Sequence, residues 1–123
     1  MINLRFHRLC GMLWKQVNSD WKLIGMGYAG HGKGINNPNM QSVANEGPLP
    51  AGNYTLRLSD ISSLGPIVFF LQPDKENDML GRGDFYIHWD NRRADFSASE
   101  GCIVLLTTNT FCQINNGDRL EVV

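Results

Sequence analysis

Long apolar runs and an excess of charge are both missing from this 123-residue sequence. A helix that crosses a bilayer needs about 20 consecutive apolar residues, so we expect no membrane insertion. The 11 Lys and Arg residues nearly balance the 12 Asp and Glu residues, and the formal net charge is -1. Domains that bind nucleic acids depend on a basic field or a Lys- and Arg-rich patch. We therefore expect no nucleic acid as a partner.

Cysteine is scarce, and its spacing matches no metal site. The three cysteines are Cys10, Cys102 and Cys112, an odd number that leaves at least one of them unpaired. A domain of this length can bury a core without disulfides, so we expect three thiols. No cysteine or histidine pair has zinc-ligand spacing, and the sequence predicts no metal and no other cofactor.

The start of the sequence lacks the features of a secretory signal peptide. Such a peptide has an uninterrupted apolar stretch followed by a small-residue cleavage site, whereas Arg5, His7 and Arg8 interrupt this one. We therefore expect a protein that is made in the cytosol without a signal peptide, or else a mature domain cut from something longer. Its length is that of one ordinary domain, so we predict a single domain over residues 1–123 and a monomer.

Helical periodicity is nearly absent, and the pattern predicts a mainly β fold. Short runs of β-branched and aromatic residues alternate with Gly, Pro, Asn and Asp, which is typical of strands and turns. The predicted strands are residues 4–9, 12–16, 21–28, 53–58, 67–72, 84–89, 102–106 and 119–123. The fifth is apolar on both faces and should lie centrally. One short helix is predicted at 108–114. A long loop is predicted at 29–50, and loops of this length are usually functional or disordered.

The residues that carry chemistry lie between positions 81 and 106. Side chains alternate between the two faces of a strand, so Phe85 and Ile87 should face the core while His88 and Asp90 share the opposite face. There the Asp90 carboxylate could orient the imidazole of His88 or stabilise its cation. The sequence therefore predicts an orienting carboxylate beside a candidate base.

The candidate nucleophile is Cys102, the first residue of an apolar strand. Gly101 removes a side chain where a substrate carbonyl would approach, and it allows consecutive backbone N–H groups to form an oxyanion hole. The loop after His88 can fold that residue back over Cys102, where a thiol beside an imidazole ionises more readily. A catalytic Cys102 is then expected to react faster with electrophiles than Cys10 or Cys112.

Other interpretations of the same residues stay open at this point. A cysteine that begins a strand is often a small core residue, and Asp90 could be a turn residue before Asn91. Because histidine precedes cysteine, the order differs from that of papain-like peptidases. The caspase signature around the cysteine is also missing.

His88 followed by Ser99-Glu100-Gly101-Cys102-Ile103 resembles the catalytic signature of the L,D-transpeptidase (YkuD-type) domain. Further blocks resemble a compact branch of that family, the L,D-transpeptidase-like antibacterial effectors delivered by type VI secretion systems. These blocks are residues 10–13, 27–30, 36–41, 47–54, 81–82, 85–90 and 98–103. Glu100 and Val104 depart from the residues usual in housekeeping enzymes, and Trp89 departs from the glycine frequent in the effector branch.

The resemblance implies a single β-sandwich-like domain with one or two short helices and a cysteine-nucleophile L,D-carboxypeptidase or L,D-transpeptidase activity. Cys102 would be acylated by peptidoglycan tetrapeptide stems at the bond between diaminopimelate and D-Ala, with His88 as its base. Ser99 holds the motif's hydroxyl position, where it could order the histidine or the turn. Gly101 and Cys102 would supply the oxyanion-hole N–H groups.

Two residues are predicted to contact substrate. Arg82 lies in a Gly-Arg-Gly turn and could bind a substrate carboxylate, although an exposed turn arginine explains it equally well. Tyr28 could line the groove.

The effector resemblance also implies action in the periplasm of a target cell after secretion, and a cognate immunity protein in the producer. Two alternatives stay open: a phage or endogenous cell-wall peptidase used for lysis or remodelling, and a peptidoglycan-binding module without catalysis.

Overall fold

Eight strands form the structure, a computed structural model that describes residues 1–60, 62–91, 93 and 97–123. Each predicted strand is present, with shifts of a few residues at the ends. The strands are β1 (Leu4–His7), β2 (Met12–Val17), β3 (Asp20–Ala29), β4 (Gly52–Ser59), β5 (Val68–Pro73), β6 (Tyr86–Trp89), β7 (Ile103–Leu105) and β8 (Arg119–Val122). The mainly β prediction is confirmed.

The strands close into one barrel in the order β1-β2-β3-β7-β6-β5-β4-β8. Most neighbours are antiparallel, but β6 pairs with β7 and β1 pairs with β8 in parallel. Sequence patterning predicts strands but not how the sheet closes. In place of two sheets packed as a sandwich, the eight strands form a single sheet in which β8 pairs with β1. Closure leaves no unpaired sheet edge.

Short 3₁₀ helices replace α-helices throughout the described residues. They span Gly32–Gly34, Pro38–Met40, Ser62–Leu64 and Thr108–Cys112. The last of these stands where one short helix is predicted. The first two lie within the long loop at 29–50, so that loop has local structure of its own. Within the described ranges no helix is long and apolar enough to cross a membrane.

Alternating residues of the strands fill the barrel interior. The fully buried core side chains include Leu4, Phe6, Leu13, Leu56, Ile87, Ile103 and Leu120. Phe85 is 4% exposed and belongs to this cluster, as the alternation predicts. Burial of each large apolar side chain contributes roughly 1.5–3 kcal/mol to the stability of the fold. This packing fixes the positions of the strands that carry the site.

A second, smaller buried layer lies outside the barrel, over β3, β7 and β6. In register, Tyr28 of β3 and His88 of β6 both flank Val104 of β7, and these three outward-facing side chains are buried. The loop at 29–50 and residues 97–101 cover them, since Gly30 bonds to Ser99 and Leu49 bonds to Gly101. The outer face of β6 and β7 therefore lies beneath these two segments and is shielded from water, and it carries His88.

Candidate active site

Strand register places His88 and Cys102 on the same face of the sheet. β6 and β7 are parallel neighbours, with Ile87 beside Ile103 and His88 beside Val104. Because Ile87 and Ile103 point into the core, the residue before Ile103 points outward, as His88 does. Strand spacing and rise per residue put the two Cα atoms about 8 Å apart. No hydrogen bond joins the two side chains within the described part of the chain.

The imidazole of His88 is oriented by a backbone carbonyl. Its Nδ1 lies 2.7 Å from the carbonyl oxygen of Trp89, which assigns the ring proton to Nδ1 and leaves the Nε2 lone pair available as a base. Burial lowers the pKa of His88, and hydrogen bonding to Trp89 and the charge of Asp90 oppose that effect. The resting imidazole is therefore neutral at pH 7.

Asp90 is held by a tyrosine. The Tyr28 hydroxyl donates to Asp90 Oδ1 at 2.8 Å and accepts from the backbone N–H of Ala98 at 3.1 Å. The predicted orienting position on the imidazole is thus occupied by the Trp89 carbonyl, and Asp90 acts on His88 through its charge. Through the bond to Ala98, Tyr28 holds the chain segment before the nucleophile. Because Tyr28 is only 1% exposed, its side chain has almost no surface that could line a groove.

The Ser99 hydroxyl organises the turn before the nucleophile. It accepts hydrogen bonds from the N–H groups of Gly30 and Gly101 at 2.8 and 3.0 Å and donates to the Cys102 carbonyl at 2.6 Å. His31 adds a contact from Nδ1 to the Ser99 carbonyl at 3.0 Å. Of the two predicted roles for Ser99, this geometry matches ordering of the turn.

Gly101 has a backbone that other residues rarely adopt. Its φ is +138°, and an added Cβ would lie 2.5 Å from the Phe85 ring and 2.7 Å from an Arg82 nitrogen. Its N–H donates to Ser99 Oγ. The expectation that this N–H serves an oxyanion hole is therefore not met in this conformation, which leaves the N–H of Cys102 as the candidate donor from this turn.

The Cys102 thiol is less acidic than the sequence suggests. Burial raises its pKa, and the charge of Glu100 acts in the same direction. Backbone hydrogen bonds at Tyr86 and at Cys102 itself, together with the charge of Arg82, lower the pKa but do not cancel the rise. The expected easy ionisation is therefore opposed by burial: desolvation favours a neutral Cys102 thiol and a neutral His88 imidazole.

This burial also changes the expected order of thiol reactivity. Cys10 and Cys112 are exposed, whereas Cys102 is half-buried. A generic alkylating agent needs access and thiolate, so Cys102 is not expected to react first with such an agent. Only an electrophile that fits the site would select it.

The N–H donors of Arg82 are used in hydrogen bonds within the protein. Its guanidinium donates to the carbonyls of Gln41 and Pro48 at 2.7 and 2.8 Å, and to those of Gly47 and Glu100 at 3.0 and 3.1 Å. It lies over the Phe85 ring at 5.0 Å. The predicted free guanidinium for a substrate carboxylate is therefore committed to four backbone oxygens.

Two hollows flank the pair. One of about 740 Å³ contains His88, Trp89 and Asp90 in its wall, opposite the segment at 63–66. The other, of about 330 Å³, contains Cys102 and is bordered by the segments at 44–45 and 81–85 and by Glu100. His88 and Cys102 thus line two different hollows.

Three contributors to the site escape sequence reasoning. They are His31, Gln41 and the Trp89 carbonyl. The first two come from the long loop, 71 and 61 residues before Cys102. The resemblance includes Gln41 in block 36–41, but no local pattern predicts the contact that either residue makes. The carbonyl carries no side-chain signal at all.

No group of three or more His, Cys, Asp or Glu side chains in the described ranges is arranged to hold a metal ion. The candidate residues Cys102, His88 and Ser99 carry a thiol, an imidazole and a hydroxyl. These groups suit acyl transfer.

No curated protein matches the chain. Among solved structures, the chain is similar to the helical cell shape determining protein Pgp2 from Campylobacter jejuni, crystallised as a point mutant. The TM-score is 0.62 at 17% identity, over 97% of this chain and 45% of that chain. The chain thus spans less than half the length of that protein, and the likeness concerns the fold.

A family model supplies the classification. The model of the Tlde1 domain matches residues 24–122. That range contains β3 to β8 and both His88 and Cys102. Since most of the chain is matched, the chain belongs to the Tlde1 domain family of L,D-transpeptidase-like type VI secretion effectors.

Proposed function

We propose that this protein is a cysteine-nucleophile enzyme that cleaves or exchanges the terminal D-Ala of peptidoglycan tetrapeptide stems. The observation that carries the proposal is the placement of His88 and Cys102 on one outward face of neighbouring parallel strands. Membership of the Tlde1 domain family supports the peptidoglycan stem as substrate. A binding module would need neither a base whose Nε2 is available nor a thiol on the same face.

Acylation begins with a neutral pair. As the sulfur of Cys102 attacks the diaminopimelate carbonyl carbon, its proton passes to Nε2 of His88 and a C–S bond forms. The carbonyl electrons move to oxygen, and the Cys102 N–H is the proposed donor to that oxyanion. The C–N bond then breaks, and Nε2 returns the proton to the amine of the departing D-Ala. A thioester on Cys102 remains.

Deacylation repeats the proton transfers with another nucleophile. Water, or the amine of a free D-amino acid or of a second stem, loses a proton to Nε2 as it attacks the thioester carbonyl. The C–S bond breaks, and the sulfur of Cys102 recovers the proton. Water yields a tripeptide stem, whereas an amine yields an exchanged or cross-linked stem. Asp90 supports the imidazolium that forms transiently in both steps through its charge.

The proposed catalytic domain is the whole of residues 1–123. β1 and β2 precede the matched range, but β1 pairs with β8 and β2 with β3, so they complete the barrel that carries the site. As a type VI effector domain it would act in the periplasm of a target cell. A producer exposed to the same activity would need an immunity protein, for which the Cys102 hollow is the simplest target.

The test is chromatography of muropeptides after incubation of isolated peptidoglycan with purified protein. Cys102→Ala is expected to abolish D-Ala release, because no other group at the site can form the thioester. His88→Ala is expected to lower the rate by roughly 10²–10⁴-fold, the usual contribution of a general acid–base group.

Cys10→Ser and Cys112→Ser are the matched controls, since both thiols are exposed and belong to no wall of either hollow. They should retain wild-type rates. Continued trimming by Cys102→Ala would overturn the assignment of the nucleophile. A wild-type protein that binds stems without changing them would favour the binding module.

A further inference from the structure

Arg82 joins two segments that come from distant parts of the sequence. Three of its four hydrogen bonds go to carbonyls of the loop at Gln41, Gly47 and Pro48, and the fourth goes to the carbonyl of Glu100. Glu100 lies in the turn that ends at Cys102. The guanidinium thus ties the loop that borders the Cys102 hollow to the turn that presents the nucleophile.

The surroundings of Arg82 leave little freedom for another arrangement. Its guanidinium lies over the Phe85 ring at 5.0 Å, and one of its nitrogens would lie only 2.7 Å from a Cβ on Gly101. No acidic side chain in the described ranges pairs with it. A guanidinium carries five N–H donors in a rigid planar fork, and here both terminal nitrogens contact two carbonyls each.

Arg8 supports the same loop from the opposite side. Its Nη1 donates to the Gln41 side chain at 2.7 Å and to the Leu49 carbonyl at 3.4 Å, and the residue is 6% exposed. Leu49 in turn donates its N–H to the carbonyl of Gly101. The loop between Gln41 and Leu49 is therefore held at both ends by arginines. Its Leu49 end contacts the nucleophile turn directly, and its Gln41 end is joined to that turn through Arg82.

We propose that Arg82 is a positioning residue, which sets the nucleophile turn and the wall of the Cys102 hollow, and that it is not the receptor for a substrate carboxylate. This inference rests on the proposed function, because it assigns Arg82 a role in the acyl transfer at Cys102. Its charge also lies near the thiol and lowers the thiol pKa, so loss of Arg82 should be measurable at Cys102 without any substrate.

The first experiment measures Cys102 alone. In a Cys10→Ser/Cys112→Ser background, the rate of Cys102 alkylation by iodoacetamide is followed against pH for Arg82→Gln, Arg82→Lys and the parent. Arg82→Gln should move the midpoint to higher pH and slow alkylation at pH 8 by about three- to tenfold, since the thiolate loses a nearby cation. Arg82→Lys keeps a charge and should stay closer to the parent.

The second experiment separates positioning from recognition. kcat and KM for D-Ala release are measured on a tetrapeptide stem and on the same stem with its terminal carboxylate converted to an amide. A misplaced nucleophile lowers kcat by roughly 10–100-fold, and the loss in Arg82→Gln should be equal on the two stems. Arg82→Lys should also lose kcat, because an ammonium cannot make the planar fork.

Arg57→Gln is the matched control. Arg57 is an exposed arginine of β4 whose side chain hydrogen-bonds to the Gln72 side chain at 3.0 Å. It lines neither hollow, so its substitution should change neither readout. A loss in Arg82→Gln that appears as a higher KM on the free-acid stem alone would overturn the proposal, as would an unchanged alkylation profile together with an unchanged kcat. If Arg82→Gln does not fold, Arg82→Lys is the test: an equal loss of kcat on the two stems supports the proposal, and a higher KM on the free-acid stem alone overturns it. If the parent releases no D-Ala, the proposed function fails while the alkylation profile still tests the positioning.

Discussion

The Tyr28 hydroxyl donates a 2.8 Å hydrogen bond to Asp90, the carboxylate two residues after the candidate base. Tyr28 is buried on β3, and Asp90 follows β6. The contact therefore ties the strand end that carries His88 to a strand on the far side of β7. It also explains why Asp90 acts on the imidazole by its charge and not by a direct hydrogen bond.

The first prediction concerns this pair. Asp90→Asn should lower kcat by no more than about tenfold, because the Trp89 carbonyl keeps the ring oriented and only the support of the imidazolium by charge is lost. Tyr28→Phe should destabilise the fold by about 1–3 kcal/mol, since the part-buried Ala98 N–H loses its acceptor. Urea denaturation and D-Ala release measure the two effects.

A double variant provides the control for that pair. If Tyr28 and Asp90 act through their contact, the combined loss of stability in Tyr28→Phe/Asp90→Asn should be smaller than the sum of the single losses. Strict additivity would contradict a direct coupling. A loss of several hundredfold in Asp90→Asn would instead make Asp90 the orienting group.

The second prediction concerns pH. Burial lowers the pKa of His88 from its usual value of 6.5, so the neutral base should persist below pH 6.5 and the acid limb of kcat/KM should have its midpoint below that value. The unfolded chain binds this proton at about pH 6.5 and the folded chain only at lower pH. The contribution of His88 to stability is thus present above pH 6.5 and is lost as pH falls towards the folded pKa.

NMR titration of the His88 ring checks this directly. The same titration in Cys102→Ala shows whether the thiol contributes. A His88 midpoint at or above 6.5 would contradict the effect of burial.

The third prediction concerns the Ser99 hydroxyl. Ser99→Ala removes three hydrogen bonds of 2.6 to 3.0 Å and leaves the N–H groups of Gly30 and Gly101 without their acceptor. Each buried unsatisfied group costs about 1–3 kcal/mol, so a loss of roughly 2–4 kcal/mol is expected, with a lower kcat as the nucleophile turn relaxes. Thermal unfolding and D-Ala release are the measurements.

Ser99→Thr retains the hydroxyl and serves as the matched variant. It should keep more activity than Ser99→Ala, although the added methyl group must fit a residue that is 1% exposed. Equal activity of Ser99→Ala and the wild type would show that the hydroxyl does not hold the turn.

The fourth prediction concerns Gly101. Gly101→Ala combines a strained φ of +138° with overlap against the Phe85 ring and Arg82, so a stability loss of at least about 2 kcal/mol is expected. Gly117→Ala is the control, because Gly117 also has a positive φ, of +90°, but no atom within 4 Å of an added Cβ. Its smaller loss measures the strain alone. Equal losses in the two variants would mean that the space at Gly101 is not restricted.

Particular residues show which parts of this protein could be predicted from sequence. The alternation of Phe85 and Ile87 with His88 is local, since one strand decides it, and it correctly places the histidine opposite the core. Gly101 before Cys102 likewise predicts a constrained turn, and its φ is positive. The eight strands follow from equally local runs of β-branched and aromatic residues.

Contacts between distant segments could not be predicted in this way. The commitment of Arg82 to four carbonyls depends on the path of the loop between Gln41 and Pro48, and a guanidinium in a Gly-Arg-Gly turn has the same local sequence whether it is free or bound. The direction of the Cys102 pKa is similar, because desolvation depends on what covers a group and not on its neighbours in sequence.

The sequence by itself determined the mainly β fold, His88 and Cys102 as candidate base and nucleophile, and a glycine at the turn, because each depends on residue type and short-range periodicity. Only the tertiary structure decided that the sheet closes and that a Trp89 carbonyl, not Asp90, bonds the imidazole. It also decided that the side chains of Arg82 and Tyr28 bond to other parts of the protein. The physical reason is that hydrogen-bond partners and desolvation are set by which segments meet in space. Closure of the barrel pairs Leu4 with Leu120, and the side chains of Arg5 and Glu121 bond across 116 positions of the chain.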